Sequence, residues 1–356
     1  MSRFGLLTLI AALIGTSLFS NTAFAAKLVT GFCVNSQRVK ADREKVLNQL
    51  QSESVHIVRT AFAGRAPEDW NIDFAKSAYD RGIRLVLIVF PINPPDTGTA
   101  LSGANPELSR QYFESILSRL DAKGVQLEAL ELGNEINFSG PNGDIPPAGQ
   151  GQGKTFNYLD LSTNPEGRKI AKGFLQYLKI LEVLKDVRDH SSVNKQTPIL
   201  TAGFTDFNSE WPTPKMKMDA VTLAATVWYL RQHGLDHLVD GYAVHRYPRD
   251  KTPALRKARL EKAVSVFQPE GTAARKPLWI TEWGVENQDR NCPSREEKRI
   301  QLVRETMKDL DELAAKGRVA VAIYYRWDSY PVSNFDPASV VRCGHLTESG
   351  KLVVRH

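Results

Sequence analysis

Two glutamates close apolar runs that would otherwise read as ordinary buried strands. Glu135 ends Ala129-Leu130-Glu131-Leu132-Gly133-Asn134-Glu135, and Glu282 ends Leu278-Trp279-Ile280-Thr281-Glu282. Other apolar runs end on Val58-Arg59-Thr60, on His245-Arg246-Tyr247 and on Tyr325-Arg326-Trp327. Two carboxyl groups with a guanidinium, an imidazole, a phenol and an indole around one cleft suit cleavage of a glycosidic bond. One carboxylic acid protonates the leaving oxygen, and the second carboxylate attacks the anomeric carbon or activates water. Arg59 and the Tyr247 hydroxyl can hold one carboxylate ionised, while the other, with less to stabilise its anion, keeps a proton near neutral pH. Asn134 can bond a ring hydroxyl, His245 lines the cleft, and Trp327 offers a flat face to a sugar.

For these residues to meet, the elements carrying them must share one end. Eight strands are expected at Leu28–Cys33, Val55–Thr60, Ile83–Phe90, Leu127–Leu132, Pro198–Gly203, Val239–His245, Pro277–Glu282 and Val319–Trp327. Helical periodicity lies between them, most plainly over residues 40–53, 106–123, 165–190 and 293–316. Helices between successive strands imply parallel pairing, since antiparallel neighbours need only tight turns. An open doubly wound sheet and a closed (β/α)8 TIM barrel both satisfy that pattern. Eight strands and about 330 residues favour the barrel, as a single α/β domain, and no Gly-x-Gly-x-x-Gly follows the first strand as a dinucleotide-binding sheet would require. Residues 137–164 and 204–219 lack periodicity and follow strand ends, on the face where barrels place binding loops. Phe138, Phe156, Tyr158, Phe207 and Trp211 in them read as further sugar subsites or a self-packed lid.

Side chains alternate along a strand, which makes inward rows readable. Arg59 shares parity with Ile57 and Val55, His245 and Tyr247 with Ala243, Glu282 with Ile280 and Leu278, and Trp327 with Tyr325 and Ile323. Glu131 shares parity with Glu135, so a regular strand would aim both inward. Either a bulge intervenes or Glu131 is buried against a base such as Arg59; it is also a second candidate for the acid.

The Asn134-Glu135 pair on the fourth strand, Thr281-Glu282-Trp283-Gly284 on the seventh and Trp327 on the eighth together resemble a clan A retaining glycoside hydrolase, of the cellulase-like or family 39-like branch. That resemblance covers most of the chain. It implies a (β/α)8 barrel with Glu135 as acid/base, Asn134 as its sugar-contacting neighbour, Glu282 as nucleophile flanked by Arg59 and Tyr247, His245 lining the cleft and Trp327 as the platform aromatic. One departure stands out: the cellulase-like branch often has a His at the third strand's end, where this chain reads Phe90-Pro91-Ile92-Asn93. The alternative is a non-catalytic glycan-binding or exopolysaccharide-assembly protein on the same scaffold. Acyl transfer by serine is disfavoured, because no Gly-x-Ser-x-Gly elbow is present.

The first residues, with Arg3, an apolar run from Phe4 to Phe19 and Ala23-Phe24-Ala25, have the pattern of a secretory signal peptide over 1–25, leaving the barrel at 26–356. The apolar core falls short of the roughly 20 residues that span a bilayer. Export to the periplasm or medium is therefore expected, without a stable membrane anchor after cleavage. Losing Arg3 lowers the formal charge from +6 to +5. That surplus permits an anionic polysaccharide as substrate but carries no basic block that would point to nucleic acid. Of Cys33, Cys292 and Cys343, the last two are favoured as a disulfide over Cys33 with Cys343. No His-x-His or Asp/His spacing indicates a metal. No cofactor is expected, and the chain reads as a monomer acting on carbohydrate.

Overall fold

The computed structural model describes residues 27–62, 67–206, 213–268, 276–328 and 335–356. The expected leader at 1–25 lies outside them, as do Phe207 and Trp211. Among the described residues, with further short helices in the connections, eight parallel strands alternate with eight principal helices. They are β1 Val29–Cys33, α1 Ser36–Ser52, β2 Ile57–Ala61, α2 Asp69–Asp80, β3 Arg84–Val89, α3 Pro106–Ala122, β4 Ala129–Leu132 and α4 Pro165–Asp189. Next comes β5, two short pieces at Ile199–Leu200 and Phe204–Thr205. It is followed by α5 Leu223–Gln232, β6 Tyr242–His245, α6 Pro253–Phe267, β7 Leu278–Trp283, α7 Glu297–Ala315, β8 Val321–Tyr324 and α8 Glu348–Val354.

The two pieces of β5 close the barrel. Ile199 and Leu200 pair with Leu130 and Glu131 of β4, whereas Phe204 and Thr205 pair with Val244 and His245 of β6. Bridges from Asn134 to Gly203 and from Leu200 to Gly241 fill the seam between them. The other neighbours are β4–β3–β2–β1–β8–β7–β6, all parallel. Each strand sends an apolar side chain into the interior: Cys33, Ile57, Val86, Ala129, Leu200, Ala243, Trp279 and, from β8, Val321 with Ile323. A larger apolar layer joins the strands' outer faces to the helices.

Helix boundaries follow local chemistry. α3, α4 and α6 open on Asn105-Pro106, Asn164-Pro165 and Thr252-Pro253. In each the side chain of the first residue accepts a backbone N–H of the first turn while proline supplies the preset φ. The strands are shorter than the apolar runs suggest. β8 stops at Tyr324 rather than Trp327, and β6 starts at Tyr242 rather than Val239. No described helix is long and apolar enough to cross a membrane. Cys292 and Cys343 form a disulfide with Cα atoms 5.9 Å apart, joining the segment after β7 to the one after β8.

Candidate active site

Arg59 stands at the centre of the cleft floor, 2 % exposed. Its Nε donates to Oε2 of Glu131 (2.7 Å), and Nη2 donates to Oε1 of the same carboxylate (2.9 Å). Nη1 donates to Oε1 of Glu282 (2.7 Å), and Nη2 also reaches Oδ1 of Asn134 (2.8 Å). Glu131 is therefore the ion-pair partner of Arg59. It is fully buried and accepts further bonds from the Gly203 amide and the Thr281 hydroxyl, so it has no route to a leaving group and is not the acid.

Glu282 reaches the cleft by a mechanism that strict alternation misses. The interior row of β7 is Trp279 and Thr281, not Leu278 and Ile280, which pack in the outer layer. The register of β7 shifts between Ile280 and Glu282 against β6, and between Ile280 and Trp283 against β8. An extra residue in one strand reverses parity beyond it, and this irregularity swings Glu282 inward. Its Oε2 accepts the Tyr247 hydroxyl at 2.6 Å. Burial alone would push this carboxyl up, but His245, Arg59 and the Tyr247 hydroxyl outweigh it and hold Glu282 below the usual carboxylate range. Burial and then the Glu282 charge hold the Tyr247 phenol well above its ordinary value, so it remains a donor.

Glu135 sits just past the end of β4. Gly133 turns the chain at φ +81°, and Glu135 follows at φ +51°, its amide bonded to the Gly203 carbonyl (3.0 Å). The Tyr177 hydroxyl fastens the same corner, donating to the Leu132 carbonyl and accepting the Ala202 amide. Irregular backbone after Leu132 thus separates the fates of Glu131 and Glu135, which a regular strand would have made alike. His245 joins the halves of the site. Its Nε2 lies 3.3 Å from Nη2 of Arg59, which can only donate, so Nδ1 carries the proton and donates to Oε1 of Glu135 at 2.9 Å. The same Nδ1 is 3.5 Å from Oε2 of Glu282. Atoms of Glu135, His245 and Glu282 all lie within 4.8 Å of one another. By distance alone the three could hold a metal ion, but both oxygens of Glu282 already accept short bonds, one of them from a guanidinium.

Trp327 is corrected. It is fully buried, edge-on to Phe32 (centroids 5.1 Å), because the chain leaves β8 at Tyr324 and folds the indole under the rim. The aromatic at the cleft from this strand is Tyr325, which shares Ile323's inward parity and meets Tyr247 edge-on at 6.3 Å. Phe138 lines the cleft, whereas Phe156 is buried and Tyr158 packs towards Tyr229, away from it. The cavity measures about 690 Å³, and its wall includes an ion-pair knot in which Arg246 meets Asp206 and Asp250 while Arg259 meets Asp250. Cys33 lies beneath Arg59, its thiol pushed up to about 12 chiefly by burial.

Gly203 had no signal in the sequence, yet the site depends on it. A Cβ there would lie 2.0 Å from Nε2 of His245 and 2.9 Å from Oε1 of Glu131. Gly203→Ala should therefore displace His245 and lower kcat/KM on an aryl glycoside by about 100-fold, the scale of an ångström's misplacement. Wild-type kinetics from the alanine protein would show that the ring tolerates the shift.

Residues 224–352 match the family model described as Glycosyl hydrolase catalytic core. No curated protein matches the chain by sequence. Among solved structures the chain is similar to a fungal β-1,4-galactanase, with 14 % identity, 93 % of this chain and 100 % of that one covered, and a TM-score of 0.60. It is also similar to the family 1 β-glucosidase of Thermotoga maritima, with 10 % identity, 92 % and 97 % covered, and a TM-score of 0.62. A β-glucosidase from Exiguobacterium marinum aligns with 13 % identity over 92 % and 97 % of the two chains, at a TM-score of 0.58. The family-model match covers the C-terminal part of the chain, and the solved structures share its (β/α)8 barrel fold. Within the chain, the matched residues run from the start of α5 into α8 and include His245, Tyr247 and Glu282.

Proposed function

We propose that this protein hydrolyses O-glycosidic bonds of an oligo- or polysaccharide with retention, through a glycosyl-enzyme on Glu282. The observation that carries the reading is the separation of the two carboxyl groups, with an oxygen of Glu135 within 4.8 Å of one of Glu282. Retaining enzymes hold the pair about 5–5.5 Å apart, whereas inverting ones leave about 6.5–9.5 Å for a water. Glu282, ionised and fixed by Arg59 and Tyr247, attacks the anomeric carbon. Glu135, at the more exposed edge of the pair, gives its proton to the leaving oxygen and later takes one from the incoming water. The leader-like N-terminus and the Cys292–Cys343 bond support action outside the cytoplasm.

A 2-deoxy-2-fluoroglycoside is expected to inactivate the enzyme and leave its label on Glu282 in peptide mapping; a label on another residue would refute the assignment. Removing the acid separates substrates by leaving group. Glu135→Ala should slow a natural glycoside at least about 100-fold and an aryl glycoside with an acidic phenol far less. Equal losses on both would exclude proton donation by Glu135. Binding of polysaccharide with no sugar release would favour the non-catalytic reading instead.

A further inference from the structure

We propose that Glu131 is a positioning residue that keeps Arg59 charge-balanced while Glu282 is esterified. This inference rests on Glu282 being the nucleophile. The starting observation is a surplus of anion, with two buried carboxylates on one guanidinium and the fully buried Glu131 holding its Nε–Nη2 edge in bidentate fashion. Only Nη1 is left for Glu282. The nucleophile therefore does not set the orientation of Arg59; the fork to Glu131 does, braced by the Gly203 amide and the Thr281 hydroxyl.

The reaction explains why a second anion belongs there. As Glu282 bonds to the anomeric carbon, the bond to the leaving oxygen breaks and Glu135 supplies that oxygen's proton. Glu282 passes from carboxylate to neutral ester. With Glu282 as the sole partner, this step would leave a buried guanidinium unpaired beside a sugar carbon carrying positive charge in the transition state. Stranding a buried charge is strongly unfavourable, and a bare cation at that place opposes the charge the site must stabilise. Glu131 forms no bond to the sugar, so Arg59 enters and leaves the intermediate still held by the same bidentate partner. Hydrolysis of the ester regenerates the Glu282 anion and needs Glu131 less.

Glu131→Gln should therefore act unequally on the two half-reactions. With a fluorosugar, the rate constant for forming the glycosyl-enzyme should fall at least about 100-fold, while that for its hydrolysis falls much less. A purely structural role would slow both steps in the same proportion, and that result would overturn the proposal. Should the glutamine protein fail to fold, Asn134→Asp places another carboxylate on the same guanidinium. It is expected to shift the balance towards formation, and an unshifted ratio would overturn the proposal equally. Failure of the nucleophile assignment is distinct: in the wild-type protein the label would then map to a residue other than Glu282.

Discussion

With Glu282 as the proposed nucleophile, Glu282→Ala is expected to lower kcat at least about 10⁴-fold, the scale at which removal of a covalent nucleophile is felt. The fold should survive. The carboxylate is 8 % exposed and lies at the mouth of the interior, and its removal leaves Arg59 still bonded in bidentate fashion to Glu131. The vacated space faces the anomeric carbon, so azide should restore activity on an activated aryl glycoside. The product expected is a glycosyl azide whose anomeric configuration is opposite to that of the substrate. Azide rescue from Glu135→Ala instead gives a product of the substrate's configuration, since Glu282 still forms the first bond. Product configuration read by proton NMR distinguishes the two carboxylates. If the products came out reversed, so would the roles.

The second large effect is expected from Arg59→Met. The methionine fills much of the space but leaves Glu131 and Glu282 buried without their cation. Breaking a buried ion pair from one side costs about 3–5 kcal/mol. The sign of the pH dependence follows from Glu282, whose carboxyl lies below the usual range despite burial because His245, Arg59 and Tyr247 stabilise its anion. A depressed folded-state value contributes stability above the ordinary carboxyl value that is lost as pH falls through the folded one. The gap in melting temperature between wild type and Arg59→Met should accordingly be widest near neutrality and narrow on acidification. The acidic limb of kcat/KM should move to higher pH in the variant, as Glu282 loses its cation. A constant gap across pH would mean that Arg59 acts by packing alone.

Much of this site could be read before any coordinate, and the failures have identifiable causes. Arg59, His245, Asn134 and Glu135 continue regular rows or sit at the first turn beyond them, where alternation and strand order suffice. Glu282 reaches the cleft on a parity that alternation does not give: Leu278 and Ile280, the row it would continue, face the helices, and an irregularity in pairing with both neighbours turns it inward. Such bulges leave little trace in composition. Trp327 fails for the complementary reason, since β8 ends three residues earlier than its apolar run and the exit reverses which aromatic sees the cleft. Glu131 was legible as a choice between two fates, and only geometry selects the ion pair. Asn137 gave no warning at all. Buried, it holds the Thr205 amide and carbonyl and the Val221 carbonyl, tying the exit of β4 to that of β5.

The described residues lining the cavity begin at Glu135 and end at Tyr325. The first three strand–helix units contribute none of them; what they send is Arg59, from underneath. Among the described residues, one side of the ring is thus a buttress and the other forms the cavity wall. Loops after β4 to β8 can diversify without touching the arm that holds Glu282. A mutational library aimed at altered specificity belongs in that sector, and one aimed at thermal robustness belongs in the opposite one.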